Sequence, residues 1–263
     1  MKNRIFSCAV LLSLTLISAN AAAAADKKNM GLELSRAAEA RNRGWKDYTV
    51  SLNMTLKTEK GEETKRSMRM KFLEEPGEGE KQIVVFDRPA DVKGTALLSN
   101  SYNKKEDEQW LYLPAAKRVK RISSSSRSGS FMGSEFCYED MGNRSVEKYE
   151  YTYLRKEKCG AEECALIERR PREEDSVYSK QLVWMDSEYR IVRVDYFDRK
   201  QALYKRLTLK NFQKHIEKIW RPGTLSMENL QNKRSTEINF ENFKFRTGLK
   251  KSDFNSDSLT SVR

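Results

Sequence analysis

The sequence predicts a mainly β protein of antiparallel strands, on three observations. Several segments alternate apolar and polar residues, the mark of half-buried strands. Turn residues separate about a dozen such segments at roughly even spacing, the rhythm of a sandwich or barrel. The chain also carries one convincing long helical pattern, too little to cover a large sheet alone.

The N-terminus reads as an export signal. Lys2 and Arg4 precede an apolar run over residues 5–17, and five alanines follow at 21–25. Cleavage after Ala21, Ala23 or Ala25 would satisfy the small-x-small rule. Residues 1–25 are therefore expected to leave as a signal peptide, and residues 26–263 to form a single β domain in the periplasm. The apolar run is short for a membrane span, and no second long one follows, so the mature chain is expected to be soluble and not membrane-spanning. Cys8 lies inside the run and is expected to be discarded with it. The helical pattern follows over residues 29–45, with Leu32, Leu34, Ala37, Ala38 and Trp45 on one side and Gly44 as a stop.

The strands come next. Tyr48, Val50, Leu52, Met54 and Leu56 alternate with Thr49, Ser51, Asn53 and Thr55, and a turn follows at 59–62. Arg66, Met68, Met70 and Phe72 alternate with Ser67, Arg69 and Lys71 before the Pro76-Gly77 turn. Residues 82–86, 95–99, 110–113 and 117–122 read as further strands. Then come hairpins 147–155/165–169 and 181–185/190–197, followed by strands 202–209, 218–220, 224–230 and 235–245.

Residues 107–122 are the most distinctive stretch. Trp110, Leu111, Tyr112 and Leu113 run apolar without a break, which predicts a strand buried on both faces. The next strand carries Lys117, Arg118, Lys120 and Arg121, with cations on both faces by alternation, which favours a rim or edge. This run reads either as a solvated strand face or as a contact for an anionic headgroup or partner. Residues 123–130, SSSSRSGS, read as a loose tether. Phe131, Met132 and Phe136 then return as apolar groups that must be buried somewhere. Residues 123–141 are thus expected to form a cover, hinged in the serine run, over an apolar cavity. Met54, Met68, Met70 and Phe72, with Trp110 and Tyr112, are the candidate cavity walls. Thioethers repack around varied guests, so these methionines read equally as ordinary core or as an adaptable pocket.

Composition limits the chemistry. The net charge is +12, with 38% hydrophobic and 33% charged residues. An exported basic protein faces anionic lipid or an acidic partner rather than nucleic acid. Cys159 and Cys164 frame a hairpin connection and are expected to pair in an oxidising compartment, the alternative being two free thiols. Cys137 is expected to be a buried thiol. One His and scattered Cys give no metal-ligand set, and no cofactor motif occurs. His215 could serve as a general base or sit at a strand edge. No Ser or Cys has a nucleophile context, so a non-enzyme is expected.

The motif WLYLP at 110–114, the basic strand 117–121, the segment SFMGSEF at 130–136 and Asp140 together resemble the LolA-like outer-membrane lipoprotein-sorting proteins of Gram-negative bacteria. The Gly94-Thr95 strand start, Phe254 and Leu259 also fit, and the likeness runs over about residues 33–259. It implies an unclosed antiparallel β half-barrel, LolA/LolB-like, with helices or a loop covering an apolar concavity that shields acyl chains. It implies a carrier of lipoprotein acyl chains or other envelope lipid, with a role in outer-membrane lipoprotein sorting. The alternative it leaves is a periplasmic accessory protein of an efflux-type inner-membrane transporter.

Overall fold

Period-two alternation becomes a single 13-stranded antiparallel sheet. A computed structural model describes residues 8–260. Helix α1 (Cys8–Arg41) precedes β1 (Asp47–Lys57), β2 (Glu63–Glu75), β3 (Gly79–Arg88), β4 (Ala96–Tyr102), β5 (Glu108–Leu113) and β6 (Arg118–Ile122). A run of short 3-10 turns over residues 123–148 leads to β7 (Tyr149–Cys159). Then come β8 (Glu162–Pro171), β9 (Lys180–Met185), β10 (Ile191–Phe197), β11 (Leu203–Lys210), β12 (Gln213–His215), β13 (Ile219–Arg221), β14 (Thr224–Asn229) and β15 (Arg234–Phe245). Strands β12 and β13 form a separate two-stranded arm between β11 and β14.

The strand order is β6-β5-β4-β3-β2-β1-β15-β14-β11-β10-β9-β8-β7. The sheet does not close, so β6 and β7 are its two free edges. Register shifts interrupt pairing at Thr49/Ser51, Ser67/Met68, Tyr153/Arg155, Ile191/Arg193 and Tyr196/Phe197. Each extra residue bends its strand, and together they help the sheet wrap around its inner face. The mainly β, unclosed half-barrel is as the sequence and its resemblance led us to expect.

Alternation sorts the apolar residues onto two faces. The inner face carries Tyr48, Val50, Leu52, Met54, Met68, Met70, Phe86, Val194, Leu207 and Met227, which join one core cluster. The outer face of β3 and β4 carries Ile83, Val85, Ala96 and Leu98, capped by Phe254 and Leu259 from the C-terminal segment. Farther along, Cys164, Leu166 and Trp184 form an outer cluster beside the Cys159–Cys164 disulfide.

Two sequence expectations change here. Strand β5 is buried on one side only: Leu111 joins the inner core, Trp110 and Tyr112 are half-buried on the outer face, and Leu113 is 37% exposed. Its position next to an edge explains this, because little chain remains to cover both faces. The serine run is also no loose tether. Arg127 is only 8% exposed and pairs with Glu173 at 2.9 Å and Glu106 at 3.4 Å. A buried guanidinium held by two carboxylates anchors the run that small polar residues alone would leave free.

Helix α1 ends at Arg41, short of the expected stop at Gly44, and packs Leu32, Leu34 and Ala38 against Tyr149, Tyr151 and Ile167. Gly31 lets the helix touch the β7 backbone, where a Cβ would stand 2.7 Å from Tyr153 N. Among the described residues, no helix is long and apolar enough to cross a membrane.

Candidate functional site: the inner face and its cavity

The inner face is filled by residues 131–141 of the chain itself. Phe131 is 1% and Phe136 4% exposed, and Phe131 packs tilted against Phe86 with ring centroids 5.7 Å apart. Both sit in the same core as Met54, Met68 and Met70. Main-chain oxygens of this segment find donors on both halves of the sheet. Arg66 of β2 donates to the carbonyl of Met132, and Gln82 of β3 to that of Met141. Gln109 of β5 donates to the carbonyl of Tyr138 at 2.9 Å. Lys205 of β11 donates to the carbonyl of Glu135 at 2.7 Å. An irregular segment can lie inside a core only if its backbone groups are met in this way.

Asp140 organises the far end of the segment. It accepts from the Cys137 amide at 2.9 Å and from the Tyr178 hydroxyl at 3.0 Å, and pairs with Arg144 at 3.7 Å. Cys137 is free and buried, and burial beside Asp140 pushes its thiol far above the ordinary range.

One polar row crosses the inner face. The strand registers align Tyr151, Arg169, Gln181, Tyr196, Lys205 and Asn229 across β7, β8, β9, β10, β11 and β14. Arg169, Gln181, Tyr196, Lys205 and Asn229 are all buried. At one end the row grips Glu135, whose carboxylate accepts from Asn229 at 2.8 Å and pairs with Arg234 at 3.2 Å. Toward the other end, next to Tyr151, stands Arg169, whose Nε donates to Gln181 at 2.8 Å and whose charge lies 4.8 Å from the Tyr149 ring centre.

A cavity of about 410 Å³ lies over this second end, within the range of small-molecule sites. Its walls come from both halves of the sheet, with Tyr48 and Phe72 on one side and Tyr151, Ile167, Val183 and Met185 on the other. Helix α1 contributes Ser35 and Ala38. The β12–β13 arm roofs it with Trp220 and Arg221. Arg221 lies 5.7 Å from the Trp45 ring centre and 5.2 Å from that of Tyr48, and it donates to Asn42 Oδ1. Arg190 lies 4.8 Å from the Trp220 ring centre. Glu80 reaches the wall half-buried, and burial pushes its carboxyl up to about 7 against the pull of Arg221.

The structure therefore separates the residues the sequence grouped. Phe72 lines the cavity, while Met54, Met68, Met70, Phe131 and Phe136 pack in the core beyond it and Met132 packs half-buried against that core. Trp110 and Tyr112 lie on the outer face. Arg118, Lys120 and Arg121 are exposed on the free edge β6 and Lys117 in the turn just before it, all away from the cavity, and Arg121 pairs with Glu108 at 3.1 Å. Cys159 and Cys164 are bonded. The His215 ring packs 4.8 Å from Phe243 and 5.3 Å from Phe245, and burial with nearby Arg221 lowers its pKa. The strand expected at 218–220 is β13, but its partner β12, and with it the roof, escaped the sequence reading because three residues are too short for a period to show. Arg169 escaped it because a cation at a strand end reads as solvated.

A family model described as an uncharacterized-protein-like family matches residues 78–261. Among solved structures, an outer membrane lipoprotein-sorting protein domain from Vibrio parahaemolyticus is 44% identical, with a TM-score of 0.87. The match covers 89% of this chain and 99% of that one. A DUF1329 family protein from Desulfovibrio piger is 30% identical over 89% of this chain and 99% of its own, with a TM-score of 0.84. The chain belongs to the family of these outer membrane lipoprotein-sorting and DUF1329 proteins. A LolA superfamily protein from Nitrosomonas europaea, 20% identical over 86% of this chain and 97% of its own, shares the fold at a TM-score of 0.68. No curated protein matches the sequence.

Of the residues that carry the family likeness, Phe131, Phe136 and Asp140 lie on the inner face, Trp110 and Tyr112 on the outer face and the basic run at the β6 edge. Ser130 and Cys137 bridge to close the loop that inserts Phe131 and Phe136, and Asp140 locks its base. The cavity itself is set by α1, the β12–β13 arm and the far half of the sheet.

Proposed function

We propose that this LolA-like protein is a non-catalytic carrier of the cell envelope that shields the acyl part of a lipid or lipidated protein. The observation that carries the reading is the aromatic and aliphatic cavity of about 410 Å³ on the inner face, roofed by a small separate arm. Burying an acyl chain of about sixteen carbons at about 0.8 kcal/mol per methylene gives a gross of about 10 kcal/mol, ample for capture. Release then needs a partner or a moving roof. The signal-like residues 1–25 and the disulfide support a periplasmic location for the mature chain.

Native mass spectrometry of protein released gently from its own periplasm tests this reading. A bound mass that dissociates as a lipid or an acylated protein is the expected result. An empty cavity throughout, with a stable complex to a membrane transporter, would replace it with the accessory reading. That reading draws support from the free basic edge β6, where Arg118 and Lys120 are exposed and the outer row of backbone groups has no partner strand.

A further inference from the structure

Arg169 is a buried cation that lacks a counter-charge. It is 4% exposed, and its Nη2 is buried without a hydrogen-bond partner. Its Nε is held by the neutral amide of Gln181 at 2.8 Å, and its flat face rests on Tyr149. Three other arginines around the cavity are matched to acids: Arg144 to Asp140 at 3.7 Å, Arg190 to Asp186 at 2.7 Å, and Arg41 to Glu188 at 3.5 Å; Arg221 on the roof has no ion pair but is only half-buried and donates to Asn42 Oδ1. No carboxylate forms an ion pair with Arg169 among the described residues. A guanidinium taken from water without an anion is strongly unfavourable, and folded proteins rarely keep one without a use.

The placement gives that use. Arg169 lines the cavity from below, toward the open end of the polar row whose other end is occupied by Glu135. One end of the row thus holds a carboxylate from the chain itself, and the other end presents a donor with none. Farther along the same row, the Tyr196 hydroxyl is also buried without a partner. Along the sheet from Arg169 the wall turns apolar through Ile167, Val183 and then Met185, while charged residues such as Glu39, Glu80 and Arg144 line other parts of the cavity. A charged donor beside an apolar wall matches a molecule with one anionic group and one hydrocarbon chain.

We propose that the cavity selects an anionic single-chain amphiphile, whose carboxylate or phosphate group pairs with Arg169 while its chain lies against the apolar walls. This rests on the carrier reading and narrows it. A chain ending in an acid matches the charge of Arg169, and a chain joined through an uncharged ester or amide leaves it unpaired. A carboxylate can accept two parallel bonds from a guanidinium, which a hydroxyl cannot do.

The experiment compares dodecanoate with dodecanol, two chains of one length, by calorimetric titration into the delipidated mature protein at pH 8 and below micelle formation. Dodecanoate is expected to bind about tenfold or more tighter than dodecanol, as a charge-assisted bond requires. In Arg169→Gln the preference should fall to about threefold or less, while Arg169→Lys keeps most of it. Equal binding of the two ligands by the wild-type protein would overturn the headgroup assignment and leave the carrier reading intact. Failure of both to bind would sink both readings together. Acetate binding as tight as dodecanoate would make this a site for free anions and would also overturn the proposal. The wild-type ratio needs no variant, so the test survives a misfolded Arg169→Gln.

Discussion

Lys205 Nζ donates to the main-chain carbonyl of Glu135 at 2.7 Å, with both residues less than a tenth exposed. This bond ties the far half of the sheet to the innermost turn of residues 131–141. Its removal leaves a buried carbonyl unmet. Lys205→Met, which keeps the length of the stem, should therefore destabilise the protein by about 1–3 kcal/mol. Urea unfolding should show a lower midpoint with an unchanged slope. A midpoint equal to wild type would mean that the segment is held by its other anchors alone.

Phe131 and Phe136 decide whether that segment is core or cover. Both are buried against Phe86 and the strand methionines, and neither lines the cavity. Phe131→Ala should lower stability by about 3–5 kcal/mol, the range for a truncated core aromatic. Binding of a fluorescent acyl probe, measured where the variant remains folded, should change little. Markedly tighter probe binding with little loss of stability would instead make the segment a lid that competes with the guest.

Half-buried strands were legible because alternation records which side of a pleat meets water. Tyr48 to Leu56 and Arg66 to Phe72 became β1 and β2 in mutual register for that reason. The basic run was legible as an edge because cations on both faces leave no side to bury, and β6 is an edge. The Cys159–Cys164 pair was legible because its two strands are joined by a short turn. The polar row was not. Arg169, Gln181, Tyr196 and Lys205 each sit alone in their own strand, and only the register between strands lines them up. The anchoring of the serine run was hidden for a similar reason, since Arg127 meets Glu173 across a sequence separation of 46.

Gly31 makes a third test, on the cavity's other wall. An added methyl there would meet Tyr153 N at 2.7 Å and the Thr152 carbonyl carbon at 3.0 Å, so backbone must move. Gly31→Ala gains helix propensity of about 1 kcal/mol, yet overpacking of about 1–3 kcal/mol opposes it. The helix should shift outward from β7 and loosen the contact of Leu32 and Leu34 with Tyr151. Hydrogen exchange at the amides of β7 should accelerate while β1 and β2 stay protected. Equal protection of β7 in both proteins would show that the helix moves without cost to the edge.

Glu80 and Arg221 couple the cavity to pH. Burial raises the Glu80 carboxyl from its ordinary 4.5 to about 7, and Arg221, carried on the β12–β13 arm, pulls it down. A carboxyl raised in the folded state holds its proton there after the unfolded chain has lost its own. Below about 4.5 the two states bind that proton alike, so the group has no effect on stability. Between about 4.5 and 7 the folded state loses stability as pH rises, and above 7 the loss is complete and constant. Glu80→Gln carries no such proton. Its melting temperature relative to wild type should therefore climb from pH 5 to pH 7.5 and then level off. Arg221→Ala removes the opposing charge and should move the levelling point to higher pH, while freeing the arm from Trp45 and Tyr48. A freer arm should speed both uptake and release of an acyl probe in stopped-flow mixing, with a smaller change in their ratio. A parallel pH profile for wild type and Glu80→Gln would show that the Glu80 carboxyl is ionised throughout and that the cavity wall is wetter than its burial implies.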